Sequence, residues 1–182
     1  GDVYKRQVYV YVNSGSSQDE MISSISSYII DIESFKKAAK TKKYLENIKA
    51  GRFIIYTGDG NNKIINSLRS KNIPLNITFN NIQTIQEFSG YISKKIEADS
   101  ISLIESFTDK NFLKSLNLSQ ESVLSLFLPN TYEFFWNTSA DNFREKMVRE
   151  FNNFWNENRI EKAKKIGLNP VEVSVLASIV QK

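Results

Sequence analysis

The sequence predicts an α+β fold, with a small βααβ module in front and a mostly helical α/β portion behind it that is expected to be truncated at its C-terminus. Three observations carry that prediction. Val8 to Val12 alternates Val and Tyr, as a half-buried strand does. Ser17-Gln18-Asp19-Glu20 and Thr84-Ile85-Gln86-Glu87 are capping boxes, in which a hydroxyl and a carboxylate three residues apart satisfy the free backbone N–H groups at a helix start. Phe143, Met147, Phe151 and Phe154/Trp155 recur every three to four residues, the spacing of one buried helix face.

Composition narrows the chemistry before any motif is considered. The chain has 182 residues, 41% hydrophobic and 12% aromatic, enough for one substantial core or two small ones. Net charge is +4 with both signs interspersed, so a polyanionic partner is permitted but not required. His and Cys are both absent, which excludes a Ser-His-Asp triad, a Cys nucleophile and His- or Cys-ligated metal within these residues. Any reaction must run on carboxylates, hydroxyls, amides, Lys or Tyr. No run reaches the ~18 consecutive apolar residues of a membrane span, and no signal peptide is visible.

In chain order, Asp2 to Gln7 (D-V-Y-K-R-Q) looks like the translation of a transposase end sequence, so residues 1–7 are expected to be a cloning or sequencing artefact. After the Val8 to Val12 strand, the Ser17 box opens a helix that turns Met21, Ile22 and Ile25 inward. A second helix, about Ile32 to Tyr44, buries Phe35, Ala38 and Ala39 and shows water Lys36, Lys37, Lys40, Lys42 and Lys43. Those lysines read as a solvated face, since phosphate binding needs several cations on one surface, usually joined by aromatic or groove-reading groups. No nucleic-acid partner is expected on that account. Phe53 to Tyr56 is a strand, and Asp59 with Gly60 is expected to cap a helix carrying Ile64, Ile65 and Leu68. The boundary of the front module falls near Ile73-Pro74, giving units 8–73 and 74–182, with no Gly/Ser/Pro-rich spacer between them.

Leu75 to Phe79 alternates as a strand, and the helix opened by Thr84 carries Phe88, Tyr91, Ile92 and Ile96. Ser100 to Phe107 and Asn111 to Leu116 read as short helices, and Ser119 caps a third expected to run to Phe127. Leu128 to Asn137 then mixes rings with Asn, Thr and Glu. That mixture suits a sugar site, where flat apolar faces meet the C–H side of a pyranose and fixed polar groups meet its rim; it also suits a core-forming turn and strand. Thr138 or Ser139 caps the long helix, whose rings form a core stripe, and Gly167 closes the charged segment that follows. Asn169, Pro170 and Glu172 then start a last helix, with Val173, Leu176, Ile179 and Val180 expected inside the fold and small Ala177 and Ser178 where another backbone could approach.

Two of these segments carry a resemblance. Pro129-Asn130-Thr131-Tyr132 and Leu176-Ala177-Ser178-Ile179-Val180 resemble the P-[DN]-T-Y and A-S-I-V-x-x-E motifs of the endolytic murein transglycosylases, the YceG-like family. The similarity runs over nearly the whole chain from Val8 onward. It implies a LysM-like front module, then the N-terminal part of a catalytic domain. It also implies cleavage of peptidoglycan glycan strands between N-acetylmuramic acid and N-acetylglucosamine, with no metal or cofactor. One carboxylic acid would protonate the departing oxygen and then, as carboxylate, accept the proton of the muramoyl 6-hydroxyl as the 1,6-anhydro ring closes.

The resemblance places the catalytic glutamate just after Lys182, so no catalytic residue is assigned within these residues and the fragment is expected to be inactive. If the glutamate aligns instead with Gln181, an amide stands where a carboxylic acid must donate. Asn130, Thr131 and Tyr132 are the expected substrate contacts, with Ser178 on the catalytic helix face. Glu133 is the nearest internal carboxylate, and a salt bridge or plain exposure also accounts for it. Glycan strands, and further cell-wall synthesis proteins, are the implied partners, with a periplasm-facing place at the bacterial inner membrane through an anchor upstream. The competing class is a non-catalytic peptidoglycan-binding or interaction module, in which the front unit does the binding.

Overall fold

Strand β1 (Gln7–Val12) pairs antiparallel with β2 (Gly51–Tyr56), Val8 facing Ile55 and Val10 facing Phe53. In this computed structural model, which describes residues 4–180, the pleat turns Val10, Val12, Phe53 and Ile55 inward and leaves Tyr9, Tyr11 and Tyr56 partly exposed. The chain divides into two units, Gly1–Leu75 with Phe134–Asn137, and Asn76–Glu133 with Thr138–Lys182. Helices combined with two small two-stranded sheets make it an α+β protein.

In the first unit, α1 (Gln18–Ile25) starts where the capping box puts it, with Ser17 Oγ accepting from Glu20 N at 3.1 Å. Helix α2 (Ile32–Thr41) is capped by Asp31, whose carboxylate accepts from Ser34 N at 3.2 Å. It stops at Thr41 instead of reaching Tyr44. Lys43 takes a left-handed conformation, φ 56°, and the reversal carries the Tyr44 ring into the core at 1% exposure. Helix α3 (Asn61–Leu68) buries Ile64, Ile65 and Leu68 as its spacing requires, but its N-cap is Gly60 and not Asp59. The Asp59 carboxylate turns back to accept from Tyr56 N at 3.1 Å and pairs with Lys63, so it closes the end of β2 and leaves the helix start alone. Met21, Ile25, Phe35, Phe53, Ile65 and Leu68 are fully buried at the centre, each side chain contributing about 1.5–3 kcal/mol.

The short return segment Phe134–Asn137 is tied into this unit by two contacts. Tyr11 meets Trp136 with ring centroids 5.1 Å apart, and Asn72 Nδ2 donates to Asn137 Oδ1 at 2.8 Å. Asn72 Oδ1 accepts from Arg52 N at 2.9 Å. Gly51, at φ +143°, makes room for that amide, since a Cβ there would lie 2.5 Å from Asn72 Cγ.

In the second unit β3 (Leu75–Phe79) pairs with β4 (Asn130–Phe134). Thr78 and Thr131 share a hydroxyl hydrogen bond of 2.6 Å, and Phe79 stacks on Tyr132 at 5.3 Å. Helix α4 (Ile85–Ser93) is capped by Thr84 as predicted, and α5 (Ser100–Phe107) and α6 (Lys110–Ser115) follow with Asp99 and Asp109 as caps. The segment expected as a third helix from Ser119 is a turn and a short 3-10 helix, Val123–Leu126. Ser119 and Ser122 each accept the other's backbone N–H through their hydroxyls, the reciprocal pair of a capping box, and Val123 N donates to Ser119 O at 3.0 Å, but the chain continues from that turn only as the 3-10 helix.

Helix α7 (Ala140–Phe154), capped by Ser139, buries Phe143, Met147 and Phe151. Phe88, Phe107, Phe127 and Phe143 cluster beneath it, with Phe88 and Phe127 centroids 4.4 Å apart. Helix α8 (Glu157–Lys165) is capped by Asn156, and Gly167 at φ +75° turns the chain into α9 (Pro170–Val180). The α9 capping box forms, Asn169 Oδ1 accepting from Glu172 N at 2.9 Å.

The expectation that α9 lies inside the fold does not hold. Leu176, Ile179 and Val180 are 50%, 62% and 77% exposed, and only Pro170, Val171, Val173 and Ser174 are half-buried. The helix is apolar around most of its circumference, and the elements packed against it, α8 and the Val123–Leu126 turn, cover its first half. Among the described residues no helix is long and apolar enough to cross a membrane.

Candidate functional site

An open cleft of about 630 Å³ runs through the second unit. One side is the polar stretch after β3, where Asn80, Asn81 and Gln83 present amides. Leu128 and Pro129 lie at the entry to β4. The aromatic wall is Phe154 and Trp155, whose rings meet edge-on at 5.4 Å and 83°. Val173, Ala177 and Ser178 of α9 also line it, as do Arg159 and Lys162 of α8.

Local structure explains the aromatic wall. The stripe Phe143, Met147, Phe151 points into the core, but the helix ends at Phe154 and Trp155 leaves it with ψ 67°. The last two rings therefore come off the core face, and Phe154 is 42% exposed. Reading them as a continuation of the core stripe is corrected on this point. Trp155 Nε1 is buried without a hydrogen-bond partner. Arg159 Nη1 donates to Phe154 O at 2.7 Å, and its guanidinium lies 4.2 Å from the Phe154 ring centroid, fixing ring and cation together.

The match to a family profile decides where the chain belongs, for the profile described as the YceG-like family covers residues 10–182. The chain is a member of the YceG-like family. In structure this YceG-like chain is similar to a YceG-like protein from Listeria monocytogenes, at 16% identity and a TM-score of 0.49, over 90% of this chain and 60% of that one. It thus spans less than two thirds of that protein's length. No curated protein matches it.

The residues singled out from the sequence occupy different places in this YceG-like chain. Ser178 lines the cleft, with its Oγ donating to Val175 O at 2.7 Å. Tyr132 is buried on Phe79, and its hydroxyl donates to Leu128 O at 2.7 Å. Burial pushes the Tyr132 phenol above its ordinary pKa, and the Glu150 carboxylate adds to the shift. Tyr132 therefore braces a residue of the cleft wall. Asn130 and Thr131 are exposed on β4, Asn130 Oδ1 accepting from Thr131 N and Thr131 bonding Thr78. Glu133 is exposed too, and its backbone carbonyl accepts from Lys146 Nζ. Gln181 lies outside the described residues, as does Lys182.

Sequence reasoning missed the amide stretch 80–83 and the cations Arg159 and Lys162. A signal was present in both cases. Asn80-Asn81-Ile82-Gln83 interrupts a strand and a capped helix with three amides, and Asn156 starts α8 directly after two rings. Among the described residues no group of three His, Cys, Asp or Glu side chains could hold a metal ion.

Proposed function

We propose that this chain is part of an endolytic peptidoglycan transglycosylase and that the cleft of the second unit receives a glycan strand. Membership of the YceG-like family supports the reaction class. The observation that carries the proposal for the site is that Pro129 of the P-N-T-Y segment and Ala177 and Ser178 of the L-A-S-I-V segment line the same cleft. Rings for pyranose faces and amides for hydroxyl and acetamido groups are the lining that such a ligand needs.

In this reading the proton donor follows the L-A-S-I-V segment of α9. The motif puts the glutamate at the position after Lys182. Its acid form protonates the glycosidic oxygen as the bond to the muramoyl C1 breaks. Its carboxylate then takes the 6-hydroxyl proton as that oxygen bonds C1, and no water is consumed. Of the residues singled out from the sequence, Ser178 and the Leu128-Pro129 wall are the proposed substrate contacts in the cleft; Asn130, Thr131 and Glu133 lie on β4 beyond its lining, and Tyr132 acts through Leu128. The reading carries with it a periplasm-facing place at the bacterial inner membrane.

The test uses the protein with the expected glutamate after Lys182 and intact glycan strands as substrate. Products ending in 1,6-anhydromuramic acid by mass spectrometry, lost when that glutamate is replaced by Gln, support the reaction. Reducing-end products, or full activity of the Gln variant, overturn it. Strand binding without any cleavage points to the binding-module reading.

A further inference from the structure

The cationic side of the cleft comes from a single helix. Arg159 and Lys162 are three residues apart on α8, so their side chains leave the same face, and both line the cleft. Arg159 is held by the Phe154 carbonyl and ring, which leaves its other donors available. Lys162 enters no ion pair among the described residues. Among the described residues the rest of the lining holds one carboxylate, Glu121, and otherwise neutral amides, hydroxyls and apolar groups. The lining therefore carries net positive charge, which a neutral sugar chain would not use.

We propose that Arg159 and Lys162 recognise a carboxylate on the ligand, so that the cleft selects glycan whose muramoyl units carry peptide stems over a neutral amino-sugar chain. This rests on the glycan reading of the cleft. A β-1,4-linked N-acetylglucosamine oligomer presents the same ring faces and acetamido groups to Phe154, Trp155 and the amides. What it lacks is the lactyl ether and the peptide stem joined to it, which brings the carboxylates. A guanidinium immobilised before the ligand arrives needs little further ordering to bind an anion, and the neighbouring ammonium adds a second charge-assisted bond. Such a pair in a partly enclosed site is worth roughly tenfold in affinity, and salt weakens it.

The experiment is a binding titration on the chain carrying Trp136→Phe, which leaves Trp155 as the only indole and places it in the cleft. The probes are a stem-bearing muramoyl glycan oligomer and a neutral N-acetylglucosamine oligomer of equal length. The expected result is about tenfold tighter binding of the stem-bearing probe at low salt, a smaller gap at high salt, and a gap reduced to about twofold in Lys162→Gln. Lys162→Glu should weaken only the stem-bearing probe. Equal affinities, or a gap that survives both Lys162 substitutions, overturn the assignment and leave the glycan reading standing. Failure of both probes to bind overturns the glycan reading and this inference with it.

Discussion

Lys63 Nζ stands 3.3 Å from Asp59 Oδ1, the same oxygen that Lys5 approaches at 3.3 Å. The other carboxylate oxygen accepts the Tyr56 amide at 3.1 Å, and the carboxylate is fully shielded from solvent. Burial alone would raise the Asp59 pKa, but the Tyr56 amide and the two ammonium groups outweigh it and hold the group below its ordinary value. A folded pKa below the unfolded value stabilises the fold above the unfolded value of about 4, and that contribution is lost as pH falls through the folded pKa. Asp59→Asn should therefore cost about 1–3 kcal/mol at pH 7 and flatten the acid limb of stability. Urea unfolding from pH 7 down to pH 3 measures both, and an unchanged midpoint at pH 7 contradicts the account.

Tyr44 offers a substitution expected to stabilise. Its hydroxyl is buried without a partner, and burial pushes its pKa up to about 12. Tyr44→Phe keeps the ring in the core and removes the unsatisfied group. Stability should rise by about 1 kcal/mol, seen as a higher urea midpoint with the same slope. A loss of stability would mean that the hydroxyl has a partner after all.

Gly51→Ala tests the joint between β2 and Asn72. The new methyl would force the left-handed backbone into strain and displace the amide that holds Arg52 N and Asn137 Oδ1. A cost of about 2–4 kcal/mol is expected from the backbone and the lost hydrogen bonds together. Thermal unfolding monitored by circular dichroism reads it, and a variant as stable as the parent would show that Asn72 can move freely.

Tyr132→Phe separates a bracing role from a binding one. The stack on Phe79 survives, while the hydroxyl bond to Leu128 O is lost, at a cost of about 1 kcal/mol. Because the ring lies in the core, glycan affinity should change by less than about threefold, the loss coming through Leu128 alone. A tenfold drop in affinity with unchanged stability would make Tyr132 a direct contact.

Much of the fold was legible because helix starts are local events. Ser17, Thr84, Ser139 and Asn169 each satisfy a backbone N–H three residues ahead, and short-range sequence is enough to see it. Asp59 failed as a cap because two carboxylate oxygens facing a strand end and two lysines outcompete a helix start that Gly60 can serve unaided. Long-range packing decided the rest. Period alone marks Phe154 and Trp155 as core, and only the place where α7 ends turns them into a cleft wall. The amides of 80–83 and the cations of α8 meet there although no local pattern joins them.

The chain leaves its front unit at Leu75 and returns to it for Phe134–Asn137. During translation, that unit stays unfinished when Leu75 is made, because Trp136 and Asn137 have yet to be synthesised. A front module excised at Leu75 would leave Tyr11 without its indole and Asn72 without its amide acceptor. Anyone wishing to study that half in isolation should graft the returning tetrapeptide onto it.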